Sequence, residues 1–408
     1  MIIAPERPEK LFSVLRIVLD TGERLPCLVN AQTGLPVRVA TRWAVRYRRL
    51  RTQSSTLADN LRILGHLYTW ASSVGGFDLD DYLTAGHLLN ARQIESLAAY
   101  LQRSRVPSRS SGNISLDNEY TPLFLDPGTY DHQLAVVEDF LKWALDSDHR
   151  GGVGQLPLEQ LFAQRSWLEE LFESLCIGQG ISQPLEPLED RDIVAIRTAI
   201  GPIRNAGDTW EFPVGVFSQE TRLRNWLMFE TALQLGLRRG ELLKLRLDSL
   251  PRGNDDAILV KRYADDPRDS RAREPAVKTA ERAIPAPRDL LRAFRAYLTL
   301  PPPIGRIRGK SLYLFTNRSG DPLSLDRTDD IIQAIGRYSG VVPLSWHRFR
   351  HTWAERMANK LYSEPNGMEQ LAYLGGWTNL ASADCYIQRA KRRYAEDRLR
   401  SYQDTLYQ

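Results

Sequence analysis

The chain has 408 residues, 42% hydrophobic and 25% charged, with a formal net charge of +4, which suits a globular protein of two or three domains and is compatible with a nucleic-acid partner without demanding one. No apolar run approaches the ~20 residues of a membrane-spanning helix, and MIIAPERPEK leads into no signal-peptide cleavage pattern, so neither a membrane span nor secretion is expected. Cys27, Cys176 and Cys385 are scattered, and the histidines show no HExxH and no cysteine pairing, so a reducing cytoplasm is expected and neither a disulfide framework nor a metal site is.

Residues 1–40 read as extended. In LFSVLRIVLDTGERLPCLVN, apolar runs broken by turn residues predict a short hairpin. Arg42, Arg46 and Arg49 recur at helical spacing in TRWAVRYRRLR; they are candidate DNA-phosphate contacts, against the plainer reading of a solvated face. From Ser54 the pattern turns helical, with Leu57, Leu61, Leu64, Leu67 and Trp70 at a three-to-four-residue period before Gly75–Gly76. A second helix is predicted near 91–104, a polar Ser/Gly/Pro loop over 104–118, and an amphipathic helix over 129–147.

The prolines and acidic residues of SQPLEPLEDRDIVAIRTAIG place a domain boundary near 182–190. Residues 221–250 then read as helix, glycine turn and helix. AILVKRYA, REPAVKTAERAIPAP and SLYLFTN are β-like, and from Arg327 onward the pattern is helical again. The expected fold class is mostly α with a small β-sheet in the second domain (α+β).

Chemistry-bearing residues concentrate in this second half. In GLRRGELLKL, Gly236 permits a tight turn before Arg238, and Glu241 lies one helical turn further on; alone this could be an ion pair at a helix start. In LSWHRFRHTWAERM, His347 and Arg350 are three apart and share a helix face. An arginine fork suits non-bridging phosphate oxygens, and a histidine can move a proton near neutral pH. His351, next in line, reads as structural support. In AVKTAERAIP, Lys278 stands beside a turn, with Lys261 of LVKRYA as its competitor. In GGWTNLASADCYIQRAKRRY, either Tyr386 or Tyr394 could be a nucleophile or simply a packed aromatic.

In this order, these boxes resemble the tyrosine recombinases of the phage integrase family, over roughly residues 183–395. The family has its first arginine in a Gly-Leu-Arg context followed by Glu, as at Arg238 and Glu241. It carries His-x-x-Arg-His, as at His347, Arg350 and His351, and a hairpin lysine, for which Lys278 is preferred over Lys261. Its nucleophilic tyrosine comes about nine residues after a His or Trp, which selects Tyr386 over Tyr394. Trp377 is similar to the Cre-type members; an indole cannot transfer a proton, so its expected role is positioning.

The resemblance implies a site-specific DNA recombinase. Tyr386 would attack a phosphodiester, His347 would take its proton, Arg238 and Arg350 would hold the phosphate, and Lys278 would protonate the leaving 5′-hydroxyl. A 3′-phosphotyrosine would form without metal, ATP or another cofactor. It further implies a two-domain clamp on double-stranded DNA bearing a specific site: a helical DNA-binding domain (41–182), the catalytic domain (183–395) and a tail (396–408) docking on another protomer of a tetramer, while the hairpin extension (1–40), read from its residues, has no counterpart in the family. Cytoplasmic residence in a bacterium follows from the same likeness. A type IB topoisomerase, a telomere resolvase and a catalytically silent DNA-binding relative are the alternatives. Target sequence, element type and accessory proteins are not encoded legibly.

Overall fold

The computed structural model describes residues 11–103, 124–145, 157–178, 186–204, 210–213, 215–253, 255–300 and 311–406. The expected 104–118 loop and most of the 182–187 linker lie outside these residues. The chain forms two compact units, one of Met1–Leu19 with Glu23–Gln183, the other of Pro184–Gln408 with the hairpin tip Asp20–Gly22.

The first unit opens with the antiparallel hairpin β1 (Phe12–Val18) and β2 (Arg24–Asn30), in a register that pairs Leu15 with Cys27. Helices follow: α1 (Arg38–Trp43), continued by a wider turn over Ala44–Arg48, then α2 (Ser54–Trp70), α3 (Leu79–Thr84), α4 (Ala91–Gln102), α5 (Pro127–Leu145) and α6 (Leu158–Leu175). Asn90 and Gln93 cap the start of α4 reciprocally, each side chain bonding the other's backbone N–H. The apolar stripe of α2 and that of α5 meet in one core with Trp43, Trp70 and Phe140 fully buried. Inside it the Asp80 carboxylate accepts from the Tyr68 hydroxyl at 2.6 Å and the Arg38 N–H at 2.8 Å, so its buried charge is not left bare.

The second unit begins with α7 (Asp190–Ile200), whose first turn is closed by Asp192 accepting from the Glu189 N–H. After the two-residue pair β3 (Ile203–Arg204) and β4 (Trp210–Glu211) come α8 (Gln219–Leu235) and α9 (Arg239–Lys244). Strands β5 (Ala257–Val260) and β6 (Arg282–Pro285) pair antiparallel, Val260 opposite Arg282. Helices α10 (Arg288–Thr299), α11 (Leu325–Ser339), α12 (Trp346–Leu361), α13 (Gly367–Gly375) and α14 (Ala381–Thr405) complete it. The unit is thus mostly helical around small two-stranded sheets. No described helix is long and apolar enough to cross a membrane.

One β-like stretch does not form a strand. SLYLFTN makes only isolated bridges, Arg246 to Tyr313 and Thr316 to Pro322. Its apolar residues Leu314 and Phe315 are buried because the segment crosses the core, not because it joins a sheet.

Two packing features hold α8, α12 and α14 together. The main core places Phe229 of α8 edge-on to Phe349 of α12, with ring centroids 5.2 Å apart. A smaller cluster of Trp353, Ala354, Leu371, Ala372, Ala383, Tyr386 and Ile387 clamps the start of α14 onto α12 and α13. Beyond Ala390, α14 is exposed through residue 406.

Candidate active site

Gly236 ends α8 at φ +62°, a conformation that costs glycine little. A Cβ there would stand 2.2 Å from the Trp353 ring, so α8 and α12 approach closely only because the side chain is absent. Two residues later Arg238 precedes the first turn of α9, and its backbone N–H donates to Glu241 Oε2 at 2.7 Å. Glu241 was expected near Arg238. Its carboxylate takes Arg238's main chain, while its ion pair is with Arg282, Nη1 to Oε1 at 2.7 Å. Thr279 also donates to it. Burial alone would raise the Glu241 carboxyl, but the hydrogen bond and charge of Arg282, with Arg350 and Thr279, hold it below the usual range.

Ser345 caps α12 by accepting from the Arg348 N–H, which starts the helix one residue before His347. Arg350 is fully buried. It donates to the carbonyls of Gly236 (2.8 Å) and Gly375 (2.7 Å), lies 3.7 Å from Glu241 Oε2, and rests over the Trp377 ring at 4.6 Å. Burial, then repulsion from Arg238, pushes Arg350 down to about 9. Arg238 is lowered too, by burial and Arg282, and is partly compensated by Glu241 and Tyr386. Among the described residues its guanidinium has no ion pair of 4 Å or less.

Arg282 and Arg350 therefore share one carboxylate, and the Arg238 guanidinium adds its charge nearby. The surplus positive charge is the electrostatic definition of an anion site, and a phosphate diester would relieve it.

Tyr386 sits on the first turns of α14, only 7% exposed. Its ring meets His351 edge-on at 5.1 Å and lies nearly parallel to Trp377 at 5.6 Å. Burial pushes the phenol up to about 12, with the Arg350 charge pulling the other way. His347 faces solvent on one side; partial burial and the charges of Arg350 and Arg238 hold its pKa below the ordinary value. The neutral ring, which can accept a proton, is thus favoured. His351 contacts the rings of both His347 and Tyr386, and its buried Nδ1 has no hydrogen-bond partner among the described residues.

The structure brings Arg238, His347, Arg350, His351, Trp377 and Tyr386 together. Lys278 lies on the connection between β5 and β6, exposed and outside any strand; Lys261 directly follows β5. Tyr394 is 47% exposed, against Tyr362 at 5.4 Å. In the first unit Arg42 and Arg46 are exposed, whereas Arg49 is engaged by Glu23 and is not a free cation.

The sequence reading missed Arg282, Thr279 and Glu355. Glu355 is buried on α12 and accepts from Arg389 and Arg393 of α14, 3.0 Å each, fastening the helix that carries Tyr386. Its one early sign was an acid on the apolar side of a helix. Among the described residues no group of His, Cys, Asp and Glu could hold a metal ion.

The site thus joins clustered guanidinium groups, a buried tyrosine and a histidine held toward its neutral form. Residues 215–393 match the model of the phage integrase family, so this part of the chain is similar to the tyrosine recombinases. Similar solved structures include the XerH site-specific recombinase bound to palindromic difH substrate, 16% identical over 88% of this chain and 92% of that one, with a TM-score of 0.46. The Tn1549 transposon integrase in complex with transposon right end DNA is 16% identical over 88% and 99%, with a TM-score of 0.49. No curated protein sequence matches the chain.

Proposed function

We propose that this protein is a site-specific DNA recombinase that cleaves and rejoins strands through a phosphotyrosine bond at Tyr386. The observation that carries the reading is the surplus positive charge of Arg238 and Arg350 around a buried tyrosine, inside a phage integrase domain. In cleavage, the Tyr386 oxygen attacks the phosphorus and the bond to the 5′ oxygen breaks. His347 takes the phenolic proton, which a phenol near pKa 12 does not release unaided at neutral pH. Arg238 and Arg350 hold the non-bridging oxygens, where charge grows in the transition state. Lys278 gives a proton to the departing oxygen. Rejoining runs the same steps backward, and the covalent bond conserves the energy it needs.

Double-stranded DNA would be the partner, with a second site and further copies of the chain for exchange. The exposed end of α14 is available for such an assembly.

The test uses duplexes enriched by binding from a random-sequence library, then nicked so that the cleaved fragment diffuses away. Wild type should give a denaturation-resistant protein–DNA adduct, Tyr394→Phe should retain it, and Tyr386→Phe should give none. An undiminished adduct from Tyr386→Phe would overturn the assignment.

A further inference from the structure

The stretch that carries Lys278 has no regular secondary structure, yet it is held from several sides. Arg282 starts β6, with its side chain 1% exposed. It reaches Glu241 with both prongs, Nη1 to Oε1 at 2.7 Å and Nη2 to Oε2 at 3.3 Å. Its Nε donates to the Leu374 carbonyl at 2.7 Å, and Nη1 also reaches the Ala280 carbonyl at 3.3 Å. The Ala280 N–H donates to the Gly376 carbonyl at 3.2 Å, and Thr279, adjoining Lys278, is anchored on Glu241. Gly376 leaves room for this: at φ +66°, a Cβ would lie 2.4 Å from Arg282 Nη1. One guanidinium thus ties together the α9 start that presents Arg238, the turn that presents Trp377, and the backbone that follows Lys278.

We infer that Arg282 is a positioning residue for proton donation, setting Lys278 against the leaving oxygen through the Glu241–Thr279 anchor. The inference rests on the cleavage reading above and sharpens one part of it. Among the described residues the side chain next to Lys278, Thr279, bonds Glu241 directly, whereas Lys261 adjoins Val260, the strand partner of Arg282, so the same anchor favours Lys278 as the donor. Arg282 is a fork and not a point charge because it must serve a carboxylate and two carbonyls at once, which a lysine ammonium cannot match in geometry.

The experiment compares two versions of the nicked duplex in single turnover. One has the ordinary bridging oxygen at the scissile position; in the other a sulfur replaces that 5′ oxygen. When the P–S bond breaks, the thiolate leaves without a proton, so the donor is no longer needed. On the oxygen substrate, Arg282→Gln should slow adduct formation by at least about tenfold, less than the ~100-fold lower reach of a lost general acid because Lys278 is still present. On the sulfur substrate it should return to within about threefold of wild type, as Lys278→Ala should.

Thr279→Val keeps the ion pair, removes only the hydroxyl, and should show the same pattern more weakly; it decides the matter if Arg282→Gln does not fold in a thermal melt. Equal deficits on both substrates, with Lys278→Ala rescued, overturn the positioning role alone. If Lys278→Ala is not rescued, the donor assignment fails and the inference with it. If wild type forms no adduct on either duplex, the functional reading itself is wrong.

Discussion

His351 and Tyr386 meet edge to face, with ring centroids 5.1 Å apart and planes at 62°, although they lie on different helices, α12 and α14. The contact makes the tyrosine part of a small core instead of a surface side chain. Its phenol is therefore buried and raised in pKa.

The pH dependence follows from the direction of the His347 shift. A lowered pKa means the ring stays neutral to a lower pH than an ordinary histidine near 6.5. Single-turnover cleavage should rise with pH along an acid limb centred below ~6.5 and be flat through neutrality. Stability carries the same sign: the unfolded chain binds protons that folded His347 and His351 resist, so stability is full above ~6.5 and falls below it. The urea midpoint should drop from pH 7 to pH 5, less steeply in His347→Gln/His351→Gln.

Gly236→Ala should be far more damaging than an ordinary left-handed glycine replacement. The new methyl group would stand 2.2 Å from Trp353, and the Gly236 carbonyl that it shifts is a ligand of Arg350. Gly253, at φ +63° with nothing within 4 Å, is the control. Urea unfolding should show about 1–2 kcal/mol lost for Gly253→Ala from backbone strain alone, and at least about 3 kcal/mol for Gly236→Ala.

Trp377→Ala removes both the stack on Tyr386 and the seat of the Arg350 guanidinium. The expected loss is about 1–3 kcal/mol, and adduct formation should fall with it. Trp377→Phe should restore most of the stability. An alanine variant that matches wild type in both would show the ring to be dispensable.

Glu355→Gln should loosen α14 without unfolding the unit. Both arginine partners are partly solvated, so about 1–2 kcal/mol is expected, not the cost of a fully buried pair. Amide hydrogen exchange over residues 381–393 should quicken while α8 stays protected. Unchanged exchange there would mean that the small apolar cluster holds the helix by itself.

Much of this was legible in the sequence because it is local. The hairpin of residues 12–30, the helix from Ser54, the Gly236 turn and the His347/Arg350 spacing each depend on residues within a few positions of one another. What escaped is non-local. Glu241 and Arg282 are 41 residues apart, and Arg350 and the Gly236 carbonyl are 114 apart. SLYLFTN looked like a strand because burial and strand propensity select the same residues, and only the course of the chain separates them. The helix α6 carries its buried Leu168 and Phe172 on a sparse stripe, too weak to stand out.

The sequence by itself determined which side chains are candidates for chemistry, since arginine forks, a titratable histidine and a phenol announce themselves by type and spacing. Only the tertiary structure decided how they are charged and held. Burial raises the Tyr386 phenol, one carboxylate is shared by Arg282, Arg350 and the Arg238 main chain, and Glu355 fastens the helix that presents the tyrosine. Those are consequences of desolvation and of charges meeting across the fold, and neither is written in any short stretch of residues.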